Sequence, residues 1–170
     1  WQYYQELIGG FVGGTGVGSD CYIGYGGIAL IACISLFSKR KQHTFIKVCF
    51  IVMTILLMLP YAGSVLNGFN YATNRWVGAY ALCICYIVTT ETPTLLNLSQ
   101  KQKKTILTGV LLYALLVFAL PLARTEFTFA CLFVCAVACA VLFMPNVQQT
   151  THRAVFLACV TLAITVHAFY

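Results

Sequence analysis

Charge is what this chain has least of. Four residues are acidic and ten are basic, so 8% of its 170 residues are charged, against about 25% in soluble domains. So few charges cannot cover a water-facing surface when 61% of the residues are apolar, which excludes a soluble enzyme. A mean hydropathy of +0.87 equally excludes a disordered chain. Histidine is scarce too. His43, His152 and His167 have no ligand spacing with a nearby carboxylate, so neither a metal site nor a cofactor is expected. Nor is a basic stripe present: the net charge of +6 comes from short clusters between apolar runs, which argues against nucleic acid. Eight of the nine cysteines lie within apolar runs, where a thiol behaves as a small hydrophobe; Cys21 alone sits in a loop, and no disulfide framework is suggested.

What is present is a polytopic membrane pattern: an all-α, polytopic transmembrane helical bundle. Six apolar segments are marked by polar borders, near 22–37, 45–66, 76–90, 105–123, 127–144 and 154–170. A membrane-crossing helix needs roughly 20 residues, so the second and fourth fit best and the first and third are short. No basic stretch followed by a short apolar run and a cleavage site marks a signal peptide. With Trp1 first and an apolar run ending at Tyr170, the chain is expected to be an internal piece of a longer membrane protein.

Lysine and arginine set the expected orientation. Lys39, Arg40, Lys41, Lys47, Lys101, Lys103, Lys104 and Arg153 fall in or beside alternate connections, leaving Arg75 and Arg124 for the others. The positive-inside rule then assigns 38–44, 91–104 and 145–153 to the cytoplasm and 1–21, 67–75 and 124–126 to the outside. Pro60 and Pro121 fall where helices would kink near their outer exits. Each follows a basic stretch and a threonine (Thr44, Thr105) by sixteen positions, a weak internal echo.

Nine of the thirteen glycines lie in residues 1–27. They lack the lysine of a phosphate-cradling loop and the strand of a dinucleotide loop, so residues 1–21 are expected to form an outward-facing Gly-rich loop. Cys131, Cys135 and Cys139 share a helix face with Ala138, a stripe that lets helices approach closely. Asn97-Leu98-Ser99 matches a glycosylation acceptor, but on the cytoplasmic side. The carboxylates Glu6, Asp20, Glu91 and Glu126 form no acid–base pair, and Glu126 is expected to pair with Arg124. No catalytic residue is assigned.

One stretch concentrates polar chemistry. Residues 67–76 hold Asn67, Asn70, Tyr71, Asn74, Arg75 and Trp76 at an expected outer surface. Amides can donate to and accept from sugar hydroxyls, and the guanidinium fork suits a phosphate. Alternatively, Arg75 snorkels to headgroups while Trp76 anchors the interface.

Residues 59–76, from Leu59-Pro60-Tyr61 through Asn67-Gly68-Phe69 to Asn74-Arg75-Trp76, resemble the bacterial YfhO family of membrane proteins. Asp20-Cys21-Tyr22-Ile23-Gly24-Tyr25 and the later Ser38-Lys39-Arg40-Lys41 are similar to that family's preceding helix and basic loop, so the likeness covers roughly 18–110. The resemblance implies a glycosyltransferase that moves a sugar from a polyprenyl-phosphate carrier to a cell-envelope polymer such as lipoteichoic acid, on the outer face of the membrane. Asn67, Asn70, Tyr71, Asn74, Arg75 and Trp76 would then bind the lipid-phosphate sugar, and the catalytic carboxylate would lie before Trp1. The expected partners are membrane lipids, the polyprenyl-phosphate-linked sugar and the polymer acceptor. A membrane transporter or lipid flippase, or a non-catalytic membrane scaffold, remain the alternatives.

Overall fold

The computed structural model describes residues 1–16, 22–39, 43–66, 68–69, 76–143, 154–155 and 158. Seven helices run through them: α1 (Gln2–Gly13), α2 (Gly26–Ser38), α3 (Thr44–Met58), α4 (Ala62–Leu66), α5 (Val77–Glu91), α6 (Gln100–Ala119) and α7 (Glu126–Phe143). The one sheet among the described residues is the two-residue antiparallel pairing of β1 (Thr15–Gly16) with β2 (Tyr22–Ile23).

Helix α2 is the axis of the bundle. Nine of its 13 residues are buried, because it is apolar on every side. One flank packs with α6 and α7 through Ile28, Ile31, Val110, Cys135 and Ala138. The other packs with α3 and α5 through Ala32, Leu36, Leu57, Tyr80 and Ile84. Ring contacts at one end (Tyr25 with Tyr80, 5.6 Å) and a hydrogen bond at the other (Ser35 to Glu91, 2.8 Å) make α2 and α5 parallel.

The helix ends sort the basic residues. Lys39 follows α2, while Lys47 and the trio Lys101, Lys103 and Lys104 lie near the starts of α3 and α6. All five described lysines therefore share one end of the bundle, the lysine end, and Arg124 lies at the other. The expected segregation of charge is thus a property of the packed helices.

The helices are shorter than several expected spans, and proline explains two cases. Helix α3 stops at Met58 because Leu59, extended before Pro60, cannot stay helical; the expected 45–66 segment continues only as α4. Leu120 does the same before Pro121, ending α6 at Ala119 and leaving a 3-10 turn over Pro121–Ala123. These prolines terminate helices instead of kinking them. The start of α6 moves the other way. Ser99 accepts a hydrogen bond from the Gln102 amide while the Gln102 side chain accepts one from the Ser99 amide, a capping box that carries the helix out to Gln100. Segments expected near 22–37, 76–90 and 127–144 are observed as α2, α5 and α7. The segment 154–170 lies outside the described residues apart from 154, 155 and 158.

By length and composition, α6 (20 residues) and α7 (18 residues) are able to cross a membrane. The rest of the chain covers 17% of the apolar window of α6 and 39% of that of α7. The remaining apolar helices are shorter: at about 1.5 Å per residue, 13-residue α2 spans about 20 Å.

The expected loop over 1–21 is corrected at its start. Gln2–Gly13 form α1, which packs on α7 and on the Pro121–Ala123 turn. Its glycines are contact points. A Cβ on Gly9 would lie 2.6 Å from Ala123 Cα, and one on Gly13 2.8 Å from the Thr128 nitrogen. Spaced four apart, they form the small-residue face that allows a close helix crossing. Polar side chains complete the joint: Tyr3 donates to the Leu57 carbonyl (2.6 Å), the Gln5 carbonyl accepts from the Leu122 amide (3.2 Å) and Tyr113 donates to the Ile8 carbonyl.

Candidate functional site

Two polar features stand out, one at each end of the bundle. At the end away from the lysines, Trp76 sits at the N-terminus of α5, partly buried against the same core cluster as Tyr3, Phe11 and Tyr25. The rings form a chain across four elements: Phe11 to Tyr25 at 5.4 Å, Tyr25 to Tyr80 at 5.6 Å, and Tyr80 to Phe50 at 5.8 Å. The Tyr80 hydroxyl lies 3.0 Å from that of Thr54, which meets its hydrogen-bonding need inside the core. The first two contacts are edge-to-face and the third is stacked, and such packing fixes ring orientation as well as burying area.

Asn67, Asn70, Tyr71, Asn74 and Arg75 lie outside the described residues. Within the stretch, Gly68 and Phe69 are described, and both have left-handed backbone, at φ 64° and 62°. The Phe69 amide donates to the Ser64 carbonyl at 2.8 Å and that of Gly68 to the Val65 carbonyl at 3.2 Å, closing the C-terminus of α4. Left-handed geometry is ordinary for glycine and costs energy for phenylalanine. Phe69 nevertheless holds it while 77% exposed. Of the expected sugar-site residues, then, Trp76 is the one the described structure locates, packed on the core cluster that also holds Tyr80.

The lysine end holds a feature that sequence reasoning left unassigned. Glu91, the last residue of α5, is fully buried. Its Oε2 accepts from Lys39 Nζ at 2.7 Å and from Ser35 Oγ at 2.8 Å, and the same ammonium donates to Thr94 Oγ1 at 2.8 Å. Lys47 in turn donates to the Lys39 carbonyl. Glu91 Oε1 is buried and has no hydrogen-bond partner among the described residues. A half-satisfied carboxylate beside an ammonium is an unusual group to retain in an apolar bundle. The signal in the sequence was Glu91 itself, a carboxylate closing an apolar run between threonines. Its partner lies 52 positions away, so no local motif links them.

The expected Arg124–Glu126 ion pair does not form. Lys39–Glu91 is the ion pair among the described residues. Arg124 instead donates to the Phe118 carbonyl, one of the last carbonyls of α6 that no helical amide can reach. Glu126 opens α7, where a negative charge complements the helix dipole. The cysteine stripe behaves as expected: Cys131, Cys135 and Cys139 are buried, and Cys135 Sγ lies 3.4 Å from the Gly27 carbonyl.

No family model, no curated protein and no solved structure matches the chain.

Proposed function

We propose that this chain is part of an integral membrane protein of the bacterial cell envelope, in a bundle of about six membrane helices. It moves a sugar from a polyprenyl-phosphate carrier to an envelope polymer such as lipoteichoic acid on the outer face. The observation that carries this reading is Trp76, packed on an aromatic-bearing core cluster and directly continuous in sequence with the amide- and arginine-bearing stretch 67–75. Aromatic faces form walls for a sugar ring, the asparagines orient hydroxyls, and Arg75 holds the phosphate as negative charge develops on it in the transition state. The likeness of 59–76 to the YfhO family points the same way.

The test is sugar transfer by the full-length protein carrying Arg75→Lys or Arg75→Ala, normalised to folded protein in the membrane. A bidentate grip on phosphate makes lysine nearly as poor as alanine, each losing about 1.5–3 kcal/mol, or roughly ten- to a hundredfold in rate. Wild-type transfer by Arg75→Lys removes Arg75 from the site and leaves it a headgroup anchor.

A transporter or lipid flippase is the second reading, and the buried Lys39–Glu91 pair is the observation in its favour. The pair lies where α2 and α5 end, however, and not midway along them, where a translocation pathway needs its polar groups. Loss of sugar transfer in Arg75 variants with Glu91 intact separates the two readings.

A further inference from the structure

Helices α6 and α7 enclose an open groove of about 630 Å³ on the outside of the bundle, lined almost wholly by apolar atoms. Small residues (Ala114, Ala136 and Ala140) and rings (Phe118, Phe129 and Phe133) share its lining. It runs past residues 107–118 of α6 and 129–143 of α7, about 16 to 21 Å at 1.5 Å per residue. That is comparable with one leaflet, half of a hydrocarbon core of about 30 Å.

A basic residue lies near one end of the groove, outside its lining. Phe118 and Phe129 meet at a tilt of 46° with centroids 5.6 Å apart at the end where α6 stops and α7 starts. Arg124 donates to the carbonyl of that same Phe118 and is otherwise exposed. Arg124 is the single basic residue at this end among the described residues. Glu126 is exposed nearby, and no ion pair joins it to Arg124.

We infer that the α6–α7 groove binds one anionic phospholipid of the bilayer, an acyl chain lying along the alanines and phenylalanines and the phosphodiester held by Arg124. Apolar length and terminal charge together match an amphiphile with a negative head. The arginine fork pairs with phosphate oxygens bidentately, which a purely apolar contact could not select. The inference is independent of sugar transfer, because the groove and the Trp76 cluster lie on opposite flanks of α2.

The test places a photo-crosslinking side chain at position 136 in the full-length protein. The protein is reconstituted in phosphatidylcholine vesicles containing a minor share of phosphatidylglycerol, and the adducts are weighed by mass spectrometry. The expected result is a phosphatidylglycerol adduct enriched about tenfold or more over its share of the bilayer, the discrimination a charge-assisted contact supplies. Arg124→Gln should reduce that enrichment to none and Arg124→Lys should restore part of it. Adducts in proportion to bilayer composition would overturn the inference, since the groove would then meet only bulk lipid. Adducts to residues 154–170 or to a second copy would overturn it as well, because protein would cover the groove. The lipid comparison in the unsubstituted background decides the matter even if Arg124→Gln fails to fold.

Discussion

Glu91 shows how much one side chain can commit a fold to. Removing a carboxylate from water is costly, and its attraction to Lys39 offsets that cost only with geometry as close as the 2.7 Å contact seen here. Breaking the pair from one side leaves a buried, unpaired charge. Lys39→Met is therefore expected to destabilise the bundle by about 3–5 kcal/mol, and Glu91→Leu by less, since the freed ammonium is 12% exposed and close to the lysine end. The double variant should recover much of the loss, as paired hydrophobic replacement of a buried ion pair often does. Thermal or denaturant unfolding in detergent gives the cycle, and additive losses would show that the two groups do not interact. None of this was legible locally. Hydropathy marks where α5 ends, but it does not say that its last residue meets Lys39 and Ser35 of a helix so far upstream in the chain.

Among the elements, contact with a neighbour sets the outcome more than composition does. The glycines near the N-terminus read as a loop because glycine density usually means flexibility. In α1 the same residues are contact points, and that assignment depends on Ala123 and Thr128, more than a hundred positions later. Pro60 and Pro121 are legible as interruptions, and the capping box of Ser99 and Gln102 is a local signal for where α6 starts. Gly27 offers a clean measurement of such packing. A Cβ there would come within 2.7 Å of the Cys131 carbonyl and 2.6 Å of Cys135 Sγ. Gly27→Ala is expected to cost about 1–3 kcal/mol, the range for overpacking a filled interior. Cys135→Ala removes the sulfur but not the carbonyl, so it should fail to rescue the variant in an unfolding assay. Full rescue would mean that α2 and α7 are held apart by side chains alone.

The whole molecule carries its apolar surface on the outside. Along α3, Leu57 is the buried residue of fifteen, and Phe45, Val48, Ile51, Val52, Ile55 and Met58 are exposed. Exposed apolar faces of that extent call for a neighbour that covers them; α6 and α7, unlike the 15-residue α3, have the length and composition to meet hydrocarbon. Charge then chooses the direction. Five described lysines lie at one end and Arg124 at the other; on the proposed membrane reading, the positive-inside rule would assign the lysine end to the cytoplasm. Tyr61, 81% exposed beyond α3, and Lys104, exposed at the start of α6, report the two faces. A cysteine replacing Tyr61 should label with an impermeant maleimide in intact cells, above the level of the unsubstituted protein. One replacing Lys104 should label only after lysis. The buried thiols Cys33, Cys131, Cys135 and Cys139 contribute little background, because the reagent cannot reach them in the folded protein. Equal labelling of both positions in intact cells would break the link between lysine sorting and orientation. The outward placement proposed for Trp76 would then fail, and with it the access to an envelope polymer that the proposed sugar transfer requires.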